Sequence, residues 1–133
     1  MLFSQESEYG IRIIRALKNG EKRKLKDICD EEQIPEAFAY KIAKKLSRSG
    51  LVVIKRGAFG GYILGRDLHT FTLKDIVEAI EPDQPIRACV NAPCPLNARE
   101  GGCRVHCEVL RLQAEVDRMM SEKDMFEILV EGK

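Results

Sequence analysis

The stretch Pro35-Glu-Ala-Phe-Ala-Tyr40-Lys-Ile-Ala-Lys-Lys45-Leu-Ser-Arg-Ser-Gly50-Leu-Val-Val-Ile-Lys55-Arg-Gly-Ala-Phe-Gly60-Gly-Tyr-Ile-Leu64 decides the fold. Its first half has helical periodicity and runs to about Ser49, where Gly50 stops it. Phe38, Ala39, Ile42, Ala43 and Leu46 fall on one side and are expected to pack inward. Lys41, Lys44, Lys45 and Arg48 fall on another side, with Ala37 among them. Two short apolar runs follow, Leu51–Ile54 and Tyr62–Leu64. They flank Gly57-Ala58-Phe59-Gly60-Gly61 and predict a β-hairpin with a glycine-rich tip.

Upstream, Tyr9, Ile13, Ala16 and Leu17 recur at helical spacing, so a first helix spans about Ser4 to Leu17 and ends at Asn19-Gly20. After the charged run Glu21–Lys24 comes a short helix with Leu25, Ile28 and Cys29 on one face. That spacing makes Cys29 a small core residue rather than a ligand. The turn Glu32-Gln33-Ile34-Pro35 leads into the third helix, where Pro35 suits a first turn. Three helices and then a two-stranded hairpin are the order of a winged helix-turn-helix. The expected fold is therefore mainly α with a small β-hairpin.

Charge is distributed in keeping with a DNA-binding domain. The whole chain of 133 residues carries a formal net charge of only +1. Between Pro35 and Arg66, however, the basic residues are Lys41, Lys44, Lys45, Arg48, Lys55, Arg56 and Arg66, and the single acid is Glu36. Such segregation in a near-neutral chain marks a polyanion-binding surface, although lysines on a helix also serve as an ordinary solvated face. The candidate DNA-binding residues are Ala37, Tyr40, Lys41, Lys44 and Arg48 on the third helix, with Lys55, Arg56, Gly60 and Gly61 in the hairpin. Tyr40, Lys41 and Lys44 would reach base edges or phosphates, and Ala37 would allow close approach to a thymine methyl. The hairpin cations and bare glycine backbone would follow the adjoining phosphates or minor groove.

Downstream, Thr72 and Asp75 make a capping-box start for a helix carrying Leu73, Ile76, Val77 and Ile80, ended by Pro82 and Pro85. About Ile86 to Gly102 lacks periodicity and reads as a loop. A last helix is expected from near Cys103 to about Met120. On it Val105, Val109, Leu112, Val116 and Met119 alternate by four and three, a short heptad seam suited either to a homodimer or to packing on the chain's own core. The division expected is 1–81 for the DNA-binding domain, 82–102 for a cysteine-rich cluster-binding loop, and 103–133 for the dimerisation helix and C-terminal segment.

Four of the five cysteines crowd into Cys89-Val-Asn-Ala-Pro-Cys94-Pro-Leu-Asn-Ala-Arg-Glu-Gly-Gly-Cys103-Arg-Val-His106-Cys107. The start of the chain lacks a secretory pattern, and no apolar run is long enough for a membrane span, so a cytoplasmic, reducing location is expected. There, clustered thiols read as a metal site rather than a disulfide framework. Cys103 lies close to a helix N-terminus, which favours a thiolate. Cys103, His106 and Cys107 share a helix face and would complete a site begun by Cys89 and Cys94. Thiolates suit iron–sulfur clusters or zinc. The paired C-x2-C knuckles of zinc sites are missing, yet spacing alone leaves a cluster, structural zinc and free redox thiols all open.

With these residues in view, the chain resembles the IscR-like family of bacterial winged-helix regulators, including its NsrR and RirA types. The resemblance rests on Glu8-Tyr9-Gly10-Ile11-Arg12, Ile34-Pro35, and Leu46-Ser-Arg-Ser-Gly50-Leu51-Val52. It continues through Arg56-Gly57-Ala-Phe-Gly60-Gly61-Tyr62-Ile-Leu64 and Leu73-Lys-Asp75-Ile76-Val77-Glu78-Ala79-Ile80-Glu81. It implies a transcriptional regulator that binds a palindromic operator in double-stranded DNA as a homodimer. It also implies an iron–sulfur cluster, 4Fe–4S ahead of 2Fe–2S with zinc as the alternative, sensing iron, cluster status, nitric oxide or redox stress. The ligands implied are Cys89, Cys94, Cys103 and Cys107, with His106, or Glu8 from the partner subunit, as the alternative fourth. The loop departs from the family's more even spacing, having four and then eight residues between its first three cysteines. No catalytic arrangement is recognisable, so an enzyme is not expected. A cluster-containing redox protein is the competing class and leaves the basic hairpin unexplained.

Overall fold

The computed structural model describes residues 3–82, 95 and 101–132. Helix α1 spans Gln5–Ala16, α2 Leu25–Glu32 and α3 Glu36–Arg48. Strands β1 (Val52–Lys55) and β2 (Gly61–Leu64) follow, then a 3-10 turn at Leu68–Thr70. Helix α4 spans Leu73–Ile80, α5 spans Arg104–Ser121, and a π-helical turn covers Glu127–Glu131. The expected winged-helix order is present.

Local chemistry sets these boundaries. The Ser4 side chain accepts from the Ser7 N–H at 3.1 Å and caps α1. Both halves of the Thr72/Asp75 capping box form at α4, satisfying two backbone donors that the helix cannot pair internally. Between α2 and α3, Gln33 adopts a left-handed conformation (φ 55°) that turns the chain sharply into Ile34 and Pro35. Gly10 sits in mid-helix, where glycine costs about 0.5–1 kcal/mol against alanine. A Cβ there would lie 3.1 Å from two carbons of Ile80, so the glycine lets α1 and α4 approach closely.

The core gathers Ile13, Ile14 and Leu17 of the first helical segment with Ile28, Ile42, Leu46, Phe71, Ile76 and Ile80, each at most 1% exposed. Cys29 is among these buried residues, as its spacing implied, and burial pushes its thiol pKa up. Phe38 differs from expectation. It is 46% exposed and meets the Tyr9 ring at the edge of the core, 6.2 Å between centroids, so it covers the core from outside rather than filling it.

Two features were not legible in the sequence. The charged run before α2 adds a rung to the hairpin: Arg23 N–H donates to the Tyr62 carbonyl (2.9 Å) and Tyr62 N–H to the Arg23 carbonyl (2.7 Å). The chain beyond α5 returns to the first core, where Met125 is fully buried and its N–H donates to the Phe71 carbonyl at 2.9 Å.

Candidate nucleic-acid interface and cysteine segment

Helix α3 buries Ala39, Ile42, Ala43 and Leu46 and turns Ala37, Tyr40, Lys41, Lys44 and Arg48 to solvent. Ala37, Lys41, Lys44 and Arg48 lie at successive four-, three- and four-residue steps, and Tyr40 stands four residues before Lys44, so the five form one continuous strip. The Lys44 ammonium rests over the Tyr40 ring, 5.8 Å from its centroid, and Tyr40 itself is 58% exposed. Such a contact holds an aromatic and a cation together on the surface. The buried Tyr62 phenol beneath has its pKa raised, chiefly by desolvation and then by the neighbouring Tyr40 and Cys29.

Not every lysine of α3 belongs to that strip. Lys45 is half-buried and donates to Glu6 Oε2 and to the Ile80 carbonyl, both at 3.2 Å. It joins α3 to α1 and to the end of α4. Lys41 remains largely exposed but also donates to Glu6, through Oε1 at 3.2 Å. The hydrogen bonds from Lys41 and Lys45 hold the Glu6 carboxyl below its usual range. Glu6 is the acid missed by a charge count confined to the basic stretch.

In the hairpin β1 and β2 pair antiparallel, with Lys55 opposite Gly61. Lys55, Arg56 and Phe59 are exposed. The two expected backbone-contact glycines have structural duties as well. A Cβ on Gly60 would lie 2.4 Å from the Lys55 carbonyl oxygen, and one on Gly61 would lie 2.8 Å from that of Arg23. Gly61 is buried under the added rung, so its bare backbone faces the protein.

Cys89 and Cys94 lie outside the described residues. Cys103 forms the N-cap of α5 and is half-buried, Cys107 is exposed, and the Cys107 N–H donates to the Cys103 carbonyl at 3.2 Å. One turn in, His106 Nδ1 is buried with no hydrogen-bond partner. An unsatisfied buried nitrogen of this kind suits a ligand or a neighbour from the cysteine segment. Glu8 is exposed and pairs with Arg12 of its own helix. Among the described residues no group of three or more potential ligands converges. The donors present fit a soft-metal site in type, with the other two cysteines needed to complete it.

Helix α5 buries none of its residues in the single chain. Of the expected seam, Val105 is 70% exposed, Leu112 41% and Met119 64%, while Val109 and Val116 are half-buried. No helix among the described residues is long and apolar enough to cross a membrane.

A family model described as Rrf2, iron-dependent transcriptional regulator, matches residues 3–131. The chain belongs to the Rrf2 family. Among curated relatives, protein aau3 of Rhizobium meliloti is 33% identical over 101 residues, 72% of this chain and 66% of that protein. The HTH-type transcriptional regulator CymR of Bacillus subtilis is 34% identical over 90 residues, 65% of each. The chain thus matches just under two thirds of the length of these relatives. Its fold matches that of T. potens IscR with a TM-score of 0.75 at 20% identity, covering 98% of this chain and 88% of that one. It also matches CymR (YrzC), described as the global cysteine regulator of B. subtilis, with a TM-score of 0.75 at 21% identity and 98% of both chains covered. The winged-helix fold and the resemblance to IscR-like regulators are both upheld.

Proposed function

We propose that this Rrf2 protein is a homodimeric regulator that reads a palindromic operator and is tuned by its cysteine segment. The observation that carries the reading is the exposed strip Ala37, Tyr40, Lys41, Lys44 and Arg48, set beside the cationic hairpin in a chain of net charge +1. A helix so patterned enters a major groove, with Tyr40 and Lys44 toward base edges and Lys41 and Arg48 toward phosphates. Lys55 and Arg56 grip the adjoining backbone. The exposed apolar residues of α5, Val105, Leu112 and Met119 with Val109 and Val116, supply the seam between two copies. Pairing sets two recognition helices about one or two DNA turns apart.

Cys89, Cys94 and Cys103 would hold an iron–sulfur cluster, 4Fe–4S before 2Fe–2S. Cys107 is the first choice of fourth ligand, then His106, then Glu8 of the partner subunit. When bound, the cluster would supply a redox- and iron-sensitive cross-link within the segment. The family description as iron-dependent, the soft donors at the start of α5 and the unpaired His106 Nδ1 support this assignment. The chain's own part is to carry that state from the segment to α1 and α3 through residues 80 and 81. A second reading, in which the cysteines work as zinc ligands or as redox thiols without iron, is favoured by the exposed Cys107 and by the likeness to a protein described as a cysteine regulator.

The test is operator selection from a randomised duplex pool with anaerobically purified protein, followed by salt titration. Lys44→Ala and Arg56→Ala are expected to weaken binding, each lost phosphate contact lowering the salt slope by about one. Unchanged binding in both variants overturns the docking. Iron, sulfide and visible absorption of the same sample separate cluster from zinc and thiol. If removal of the cluster leaves affinity and sequence preference unaltered, the cluster is no switch.

A further inference from the structure

Phe59 is 89% exposed, the most exposed large apolar side chain among the described residues. It occupies the tip of the hairpin, where an unsupported aromatic ring contributes nothing to folding. The backbone under it is nevertheless firmly held. Lys22 Nζ donates to the Phe59 carbonyl, the Gly60 N–H donates to the Gly57 carbonyl at 2.9 Å, and Gly57 takes a φ of 101° open to glycine. Gly60 and Gly61 pack so closely that neither admits a Cβ without displacing backbone. The ring thus stands on a rigid turn. The Lys22 ammonium meets the tip at the Phe59 carbonyl, and the same hairpin carries the exposed Lys55 and Arg56, with Lys55 paired opposite Gly61.

We infer that Phe59 is an apolar wedge that enters the minor groove of duplex DNA and partly opens a base step there, which makes it a specificity-determining residue. This rests on the DNA reading above and adds a contact that none of its cations provides. The flanking charges seat the tip on phosphates, while the ring meets sugars and base faces. A protein partner would also cover an exposed ring, but Lys22 at the tip and the exposed Lys55 and Arg56 of the same hairpin favour a polyanion over a neutral surface. Opening costs least at flexible pyrimidine–purine steps such as TA and CA, so the sequence under the tip is selected by deformability.

The chain contains no tryptophan, so Phe59→Trp installs a single fluorescent reporter at the tip. The probes are duplexes selected by the wild-type protein from a randomised pool. The indole emission of the Phe59→Trp variant is expected to be quenched on binding, as a ring stacked on bases would be. Phe59→Ala is expected to weaken binding about tenfold, the size of one lost aromatic–base contact, with an unchanged salt slope and melting temperature. By contrast Arg56→Ala lowers the slope. Repeating the selection with Phe59→Ala is expected to erase a TA or CA preference under the tip. Unquenched indole emission together with wild-type affinity of the alanine variant overturns the wedge and leaves the DNA reading standing. If the wild-type protein retains no duplex, both fall.

Discussion

Glu6 is the residue on which the proposed recognition surface turns, because it holds two of the α3 lysines from outside that helix. Its carboxyl is kept below the ordinary range by Lys41 and Lys45. A group depressed in this way contributes stability in full above its unfolded pKa, and the contribution is lost as pH falls through the lower folded value. Glu6→Gln should therefore flatten the acid limb of a stability–pH profile while costing under about 1 kcal/mol at neutral pH, the range of partly exposed pairs. The same change frees Lys41 for phosphate, so DNA affinity should rise and the salt slope steepen by up to about one. Denaturant titration across pH and a salt series with one duplex check both halves. Helical spacing grouped Lys41, Lys44, Lys45 and Arg48 on one side, and Lys41, Lys44 and Arg48 are indeed exposed. It could not show that Lys45 is turned inward, because the acid and the carbonyl that claim it lie on other helices.

The hairpin illustrates how far local sequence carries an element. Two short apolar runs and the glycines between them were sufficient to place both strands and the tip. The Arg23–Tyr62 rung was hidden, since Glu21–Lys24 has the composition of a loop and its pairing partner is remote in sequence. That rung explains why glycine stands at position 61, which the sequence suggested only as a place of close approach to DNA. Gly60→Ala should force the turn apart, as its Cβ would meet the Lys55 carbonyl oxygen at 2.4 Å. Overpacking of this order costs about 1–3 kcal/mol and should appear as a lower melting temperature together with weaker DNA binding. A variant that melts and binds like the wild type would show that the turn yields easily.

At the scale of the molecule, α5 is an 18-residue helix with no buried residue. An isolated helix of that length is marginal in water, and its apolar side needs a surface to cover. With a second copy as that surface, the melting temperature should rise with protein concentration. Leu112→Asp should shift the mass seen by light scattering from dimer to monomer and lower operator affinity sharply. Mass and affinity unmoved by Leu112→Asp would place the dimer contact elsewhere. The heptad spacing made this helix legible, whereas the return of Met125 to the core was not, because a short apolar tail carries no period.

The junction at the end of α4 has a further consequence. The fully buried Ser7 hydroxyl donates to Glu81 at 2.8 Å, one residue after the Ile80 carbonyl that accepts from Lys45. Adjacent links at the root of the cysteine segment thus moor it to two separate helices, one of them the basic one. Each involves one charged group and is worth about 1.5–3 kcal/mol net. A modest tension there is enough to slip such a latch, and an equally modest gain resets it, as a reversible relay requires.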